Sequence, residues 1–424
     1  MNFRRWKSAI LFIVAVLPNY LFSQALEASQ ADTLFGKAAY VLAIDYYKEA
    51  ISKTSDSSMA CRCKKQLAKC YSMLNYSTSA NSMYKDIIQS CNTDLQDLKN
   101  FARHLQKEGE YEKAKRIYSS CYLADSSDVF SYESMYFCDT INQAFDKISD
   151  VYLENIQHVN SIYDDVINEV NNDTLLFLSS RKWKTTDKKS LSNNQYPFRM
   201  YRCNNVLNER VMLNFQSFGD GLTATDLEDN EIFFSKTEPK LNDSFSNRTA
   251  IYRFKRQFFE LSKPQKFGFD NDSSSFGHPN LSPDGNFFFF VSDMPGGFGG
   301  MDIYMCKKLG NKWSSPINLG NGVNTVYNEL FPFYFGQGVL FFSSNGHAGL
   351  GGYDVFTTVL KKEKWTNATN LSVPINSKSD DLSLRCDKTK KIFYLSSDRI
   401  KGKGGLDVYK IHQFKTSDFR KALN

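Results

Sequence analysis

The sequence predicts an α + β multidomain chain in which a run of α-helical repeats precedes an all-β propeller. Three observations predict it. A phrase of turn, apolar strand, serine pair and glycine-rich turn recurs over the C-terminal part of the chain. Its closing aromatics, Tyr201, Tyr252, Tyr304, Phe356 and Tyr409, stand 51 to 53 residues apart. Upstream, the pairs Ala43/Tyr47, Ala80/Tyr84 and Ala114/Tyr118 are each spaced by four and recur at 37 and 34 residues, a helical rather than a strand pattern. Finally, 42% hydrophobic and 15% aromatic residues over 424 positions supply material for two cores.

Residues 1–24 read as a signal peptide. Arg4, Arg5 and Lys7 form a basic head, Ala9 to Leu17 an apolar run, and small residues appear near Ser23. Nine apolar residues are too few to span a bilayer, and no later stretch is long enough. No cysteine lies near the expected cleavage point, so a lipid anchor is not expected. The mature chain is expected to be exported and soluble. A formal net charge of +6 is mild and carries no nucleic-acid signature.

Residues 30–148 form the helical repeat domain with a connecting helix. Its clearest unit is Leu105, Gly109-Glu110-Tyr111, Ala114 and Tyr118, where glycine permits a turn and alanine lets two helices approach. These residues resemble about three tetratricopeptide repeats, although the first two copies lack the turn glycine. The register places Arg62, Lys65 and Lys69 on one first helix and Lys99, Arg103 and Lys107 on the next, facing a concave groove. Six cations there would cradle an acidic peptide or a C-terminal tail. The same spacing also describes the solvated face of amphipathic helices. Six of the nine cysteines, Cys61, Cys63, Cys70, Cys91, Cys121 and Cys138, fall in this part. An oxidising compartment suggests disulfides, whereas the odd total and helical surroundings favour small core residues for most. Cys61-Arg62-Cys63 with Cys70 matches no standard metal spacing, so no metal and no cofactor is expected.

Residues 149–415 form the propeller, followed by a tail at 416–424. The fullest unit begins Gly277-His278-Pro279-Asn280-Leu281-Ser282-Pro283-Asp284-Gly285, where proline, aspartate and glycine build a tight turn. The strand Phe287 to Val291 follows, then Ser292-Asp293, and Gly299-Gly300-Met301-Asp302-Ile303-Tyr304 closes it. Plain copies end in Gly351-Gly352-Tyr353-Asp354-Val355-Phe356 and Gly404-Gly405-Leu406-Asp407-Val408-Tyr409. Degenerate copies start at Leu175 and Glu231. The pattern, with an outer Trp-x-x-x-x-x-Leu strand, resembles the WD40-like (PD40) repeat of TolB-type propellers. The repeated Asp302, Asp354 and Asp407 are expected to bond turn amides ahead of the third strand.

The segment from Asn155 to Asp165 parallels Pro316 to Glu329, so an extra outer strand precedes the first full unit. Closure by that N-terminal strand onto the last blade gives five blades. Six is the runner-up, because TolB-type propellers commonly have six. On the loop face, two polar insertions, Arg181 to Pro197 and Lys236 to Thr249, break the short glycine turns. Lys182, Trp183 and Lys184 in the first make a partner-binding patch or a tolerated insertion. Asp165, Asp220, His278, Glu329 and Asp381 are expected to ring the channel mouth, holding a cation or basic side chain, or capping turn amides at each blade start.

No Gly-x-Ser-x-Gly, His-Glu-x-x-His or phosphate loop occurs, and the chain reads as not an enzyme, with no catalytic residues assigned. Leader, helical repeats and propeller together resemble the envelope proteins of Bacteroidota that combine these modules, usually with an OmpA-like domain that this sequence lacks. That resemblance implies a periplasmic scaffold or adaptor for envelope proteins, peripherally associated with the outer membrane. Some relatives serve gliding motility and type IX secretion, an association reached here by analogy. The alternatives are a glycan-binding propeller and a hydrolase with an unrecognised site.

Overall fold

The computed structural model describes residues 26–36, 39–74, 76–146, 150–182, 184–189, 195–204, 209–213, 221–226, 230–240, 243–257, 260–267, 273–387 and 389–414. The leader expected at 1–24 and the tail at 416–424 lie outside the described residues, as do Trp183 and Asp220. The chain divides into two compact units. One runs to Leu105 and includes Lys188–Gln195; the other holds Gln106–Asp187 and continues from Tyr196.

The first unit is built from α1 (26–36), α2 (Tyr40–Lys53), α3 (Ser57–Met73), α4 (Ser77–Ser90) and most of α5 (Leu95–Lys107). Asp56 starts α3 by accepting from Ser58 N at 2.8 Å, which satisfies one of the amides left free at a helix start. Ala43, Tyr47 and Ala80 are fully buried, and Tyr84 packs at a tilt beside Phe101 and His104 at ring distances of 5.7 and 5.6 Å. The alanine–tyrosine pairs are therefore core positions. A disulfide joins Cys61 of α3 to Cys91 at the end of α4, and the other seven cysteines are free and buried.

The second unit begins where Gly109, at φ +82°, ends α5 and turns the chain into α6 (Tyr111–Ala124). Asp128 then caps α7 (Val129–Asp146), accepting from Ser131 N at 3.2 Å. Five antiparallel sheets follow. Blade one is β2 (Asp165–Asn171), β3 (Thr174–Ser179), β4 (Arg199–Asn204) and β5 (Glu209–Met212). Blade two is β6 (Thr223–Asp226), β7 (Glu231–Lys240) and β8 (Asp243–Gln257), with short outer strands β9 (Glu260–Leu261) and β10 (Gln265–Lys266). Blade three is β11 (Phe276–Leu281), β12 (Phe287–Ser292) and β13 (Asp302–Leu309), edged by β14 (Lys312–Trp313) and β15 (Ile317–Asn318). Blade four repeats this with β16 (Glu329–Gly336), β17 (Val339–Ser344), β18 (Asp354–Lys361), β19 (Lys364–Trp365) and β20 (Thr369–Asn370).

Blade five is β21 (Asp381–Asp387), β22 (Ile392–Ser397) and β23 (Asp407–His412), completed by the N-terminal strand β1 (Tyr152–Asn155). Tyr152 faces His412 and Asn155 faces Tyr409, so the open edge of the last sheet is covered as the sequence predicted. The fold is thus a helical segment followed by a five-bladed propeller.

Aromatic runs fill the spaces between blades because each middle strand is buried on both faces. Phe288 and Phe290 point into the core shared with blade two, while Phe289 and Val291 point into the core shared with blade four. Likewise Phe341 faces blade five while Leu340 and Phe342 face blade three. One insertion differs from expectation. The described part of Lys236 to Thr249 is strand: β7 and β8 stay paired from Lys236↔Ala250 to Pro239↔Asn247. Buried Arg248 pairs with Glu238, which also accepts from Tyr252 OH at 2.6 Å, so the hairpin carries its own polar contacts.

Candidate functional site

Three of the five inner strands, β2, β16 and β21, start from a carboxylate that the protein encloses. Asp165, Glu329 and Asp381 are 0% exposed. Asp165 accepts from Ser161 N at 2.6 Å and from Arg181 Nη2 at 2.6 Å. Asp381 repeats this with Ser377 N at 2.6 Å and Arg399 Nη2 at 2.5 Å. Glu329 accepts from Thr325 N at 2.8 Å and Ser344 Oγ at 2.6 Å. Lacking an arginine partner, Glu329 is pushed by burial up to about 7, its hydrogen bonds opposing. His278 sits at φ +50°, its Nδ1 accepting from Phe331 N at 3.1 Å, and burial, with Arg385 nearby, lowers it to about 3. These residues hold turns and seams together and do not form an open ring.

A second repeated device joins neighbouring blades at the glycine pairs. Met301 N donates to Asn328 Oδ1 at 2.9 Å, and Glu329 N to Met301 O at 2.7 Å. Tyr353 pairs in the same way with Asp380 and Asp381, and Leu406 with Asp164 and Asp165, closing the ring. Asp302 meanwhile accepts from Phe298 N at 2.6 Å and from Asn318 Nδ2 at 2.8 Å; Asp354 and Asp407 do the equivalent in their blades.

The six helical cations do not form one cradle. Arg62 is paired with Asp32, and Lys65 with Asp97 at 2.5 Å. Lys69, Lys99 and Arg103 are half-buried. Lys107, expected beside them, instead bonds Asp380 of the fourth-to-fifth blade loop at 3.0 Å. Burial opposes its charge, but Asp380 and Asp398 outweigh that and hold the ammonium above its usual value. Next to it, buried Gln106 donates to Gly349 O at 2.7 Å and accepts from Tyr118 OH at 2.6 Å, and Phe130 meets Tyr327 at 5.9 Å. The helical periodicity that pointed Lys107 into a groove carried no information about this docking. In the first insertion, Lys182 lies over the Tyr196 ring at 5.9 Å, and Lys184 N donates to Asp187 Oδ2 at 2.8 Å.

A cavity of about 290 Å³ opens on the propeller axis at the far ends of the inner strands. Its wall includes Asn168, Glu169, Asp226, Asn280, Arg385 and Asp387. A bulge recurs in β2, β11, β16 and β21, and Glu169, Asn280, Phe333 and Arg385 are the first residues paired after it. The repeat thus delivers four different side chains to one equivalent position. Arg385 is 4% exposed; its Nε donates to Asn168 O and its Nη1 to Leu384 O, both at 2.8 Å. Burial lowers it to about 10, with Glu169 pulling the other way. The sequence reading missed this site. Its available signal was a polar Asn280 and a cationic Arg385 one repeat either side of Phe333. Among the described residues, no group of three His, Cys, Asp or Glu is placed to hold a metal, and no helix is long and apolar enough to cross a membrane.

No family model matches the chain. No curated protein matches it either. Among solved structures it resembles TolB from Acinetobacter baumannii (TM-score 0.35, 13% identity, 59% of this chain and 55% of that one). It also resembles an α-L-arabinofuranosidase from Lactobacillus brevis (0.40, 11%, 62% and 94%) and the Bombyx mori GH32 β-fructofuranosidase BmSUC1 (0.37, 10%, 67% and 66%). The chain spans little more than half of the TolB chain, and these likenesses bear on the fold alone. They correct one expectation. With glycosidase propellers among the structures it resembles, the reading of the chain as not an enzyme is withdrawn.

Proposed function

We propose that the chain is an exported scaffold that binds protein partners at the cell envelope. The observation that carries this is an uncovered apolar face on the last helical pair. Val129, Tyr132 and Tyr136 recur at helical spacing along α7 and are 62%, 47% and 63% exposed. Leu123 of α6 is 82% exposed, and the Tyr122 ring meets Tyr132 at a tilt, 5.2 Å between centroids. Soluble proteins rarely leave such residues contiguous, and tyrosine is enriched where proteins meet. Export is supported by the basic head and apolar run at the N-terminus and by the Cys61–Cys91 disulfide, a bond that persists in oxidising compartments. The outer-membrane side of the periplasm, and a link to secretion or gliding, follow from the modular resemblance.

The test is affinity capture from fractionated cells with the wild type and a Tyr132→Ser/Tyr136→Ser variant. The wild type is expected in the periplasmic or outer-membrane fraction with a discrete partner that the variant loses. A cytoplasmic protein with reduced Cys61 and Cys91, or capture indifferent to the two tyrosines, contradicts the reading.

A further inference from the structure

We infer that the axial cavity is a binding site for a small neutral polyhydroxylated molecule, of the size and chemistry of a monosaccharide or cyclitol. The argument starts from groups whose hydrogen-bonding capacity the protein leaves partly unused. Arg385 is buried over the Phe333 ring, yet no carboxylate among the described residues hydrogen-bonds its guanidinium, and among those residues Nη2 has no hydrogen-bond partner. A buried cation is ordinarily paired, so a guanidinium fixed by backbone carbonyls in a cavity wall is poised to donate. Asn280 adds a second donor. Its Oδ1 accepts from Tyr334 N at 2.8 Å, which orients the amide and leaves Nδ2 for the cavity.

Acceptors line the same cavity. Asp387 uses Oδ1 for Thr389 N at 3.0 Å and Lys390 N at 3.1 Å, so Oδ2 is left for a ligand. Glu169 and Asp226 also reach the wall. Donors from blades three and five therefore share the wall with carboxylates from blades one, two and five, around a space small enough for one ring. Apolar wall surface comes from Val170, Leu281, Pro283 and Phe333.

Charge selects among ligands. An organic anion would meet three carboxylates, and a cation would meet Arg385 with Lys308, which lies 3.4 Å from Asp226. Hydroxyl groups both donate and accept, so a polyol satisfies the two sets without burying net charge. Its C–H face suits the apolar wall. The volume lies at the lower end of small-molecule clefts, about 300 Å³ upward.

The experiment is titration calorimetry, with saturation-transfer NMR, of the full mature chain against D-glucose, D-galactose, L-arabinose, myo-inositol and sorbitol. Glucuronate and glucosamine serve as charged counterparts. Probes are taken to about 10 mM, near saturation for a Kd of about 1 mM. At least one neutral probe is expected to bind saturably, more tightly than either charged analogue. Arg385→Gln should weaken it tenfold or more. Because Arg385 also ties blade five to blade one, Asn280→Asp is the second variant. It keeps the acceptor for Tyr334 N, removes the donor, and should weaken binding similarly with an unchanged melting curve. No binding by any neutral probe, tighter binding by glucuronate or glucosamine, or binding unaltered in a folded Asn280→Asp protein overturns the inference.

Discussion

Gly404→Ala should open the joint that closes the ring. A methyl carbon at this position would lie 2.5 Å from both Ser161 O and Tyr163 O and 2.6 Å from Ile162 C. All three are backbone atoms of the strand-one entry loop of blade one, so no side-chain rotation relieves the overlap. Separation of the two segments pulls on Leu406 N to Asp164 Oδ1 at 2.9 Å and Asp165 N to Leu406 O at 2.6 Å. Losing both bonds, one to a carboxylate, costs about 2–3 kcal/mol. Residual overpacking adds about 1–3 kcal/mol, for a total of about 3–6 kcal/mol. In a domain of this size that is roughly 8–15 °C in Tm. The assay is a thermal and denaturant melt followed by tyrosine and tryptophan signals. Gly310→Ala is the control. It has φ +61° with nothing within 4 Å of the added carbon, so it should cost only about 1–2 kcal/mol of backbone strain. Equal melting of Gly404→Ala and wild type would refute the closing contact between the third strand of blade five and blade one.

Further outcomes follow from the same geometry. The Glu329 carboxyl titrates near 4.5 when unfolded and about 7 when folded, so between those values the folded chain holds the extra proton and stability falls as pH rises. The loss is about 3 kcal/mol, and Glu329→Gln should remove that slope from denaturant midpoints measured from pH 4.5 to 8; an unchanged slope assigns it elsewhere. Gln106→Ala loses the bond to Gly349 O and leaves Tyr118 OH without its acceptor, about 2–3 kcal/mol, seen as faster hydrogen exchange in α6 and around residue 349. Cys61→Ser removes a cross-link between residues 30 apart, worth roughly 3–4 kcal/mol by loop closure. Its midpoint should then be insensitive to reductant, while the wild type falls to meet it.

Much of the propeller could be read before any coordinates because its repeat is written in residues that cannot vary cheaply. A Cβ at Gly299, Gly351 or Gly404 would lie 2.3 to 2.5 Å from neighbouring backbone, so the glycines mark blade joints directly. The closing strand was legible because Asn155 and Asn160 match Asn318 and Asn324, and each pair grips the adjoining third strand: Asn160 Oδ1 accepts from Val408 N at 2.7 Å, Asn324 Oδ1 from Ile303 N at 2.8 Å. Buried alanines and tyrosines marked the helices for the same steric reason. The carboxylates misled because Asp165, Glu329 and Asp381 stand where a channel mouth would be, yet a side chain's direction depends on the Ser, Thr and Arg partners that folding brings to it. Lys107 misled in the opposite way: its helical face was correct, but its acid partner, Asp380, is 273 residues away. The cavity escaped notice because it is made by differences at one repeat position, Glu169, Asn280, Phe333 and Arg385, whereas repeat analysis looks for sameness.

The most direct test of a partner-binding role is a photo-crosslinking residue placed at Tyr136 in growing cells, with exposed Ile400 as the comparison position. The scaffold reading predicts one discrete adduct from Tyr136, lost when Tyr132 is also changed to serine, and none of that mass from Ile400. No adduct from Tyr136, or the same adducts from both positions, would contradict it.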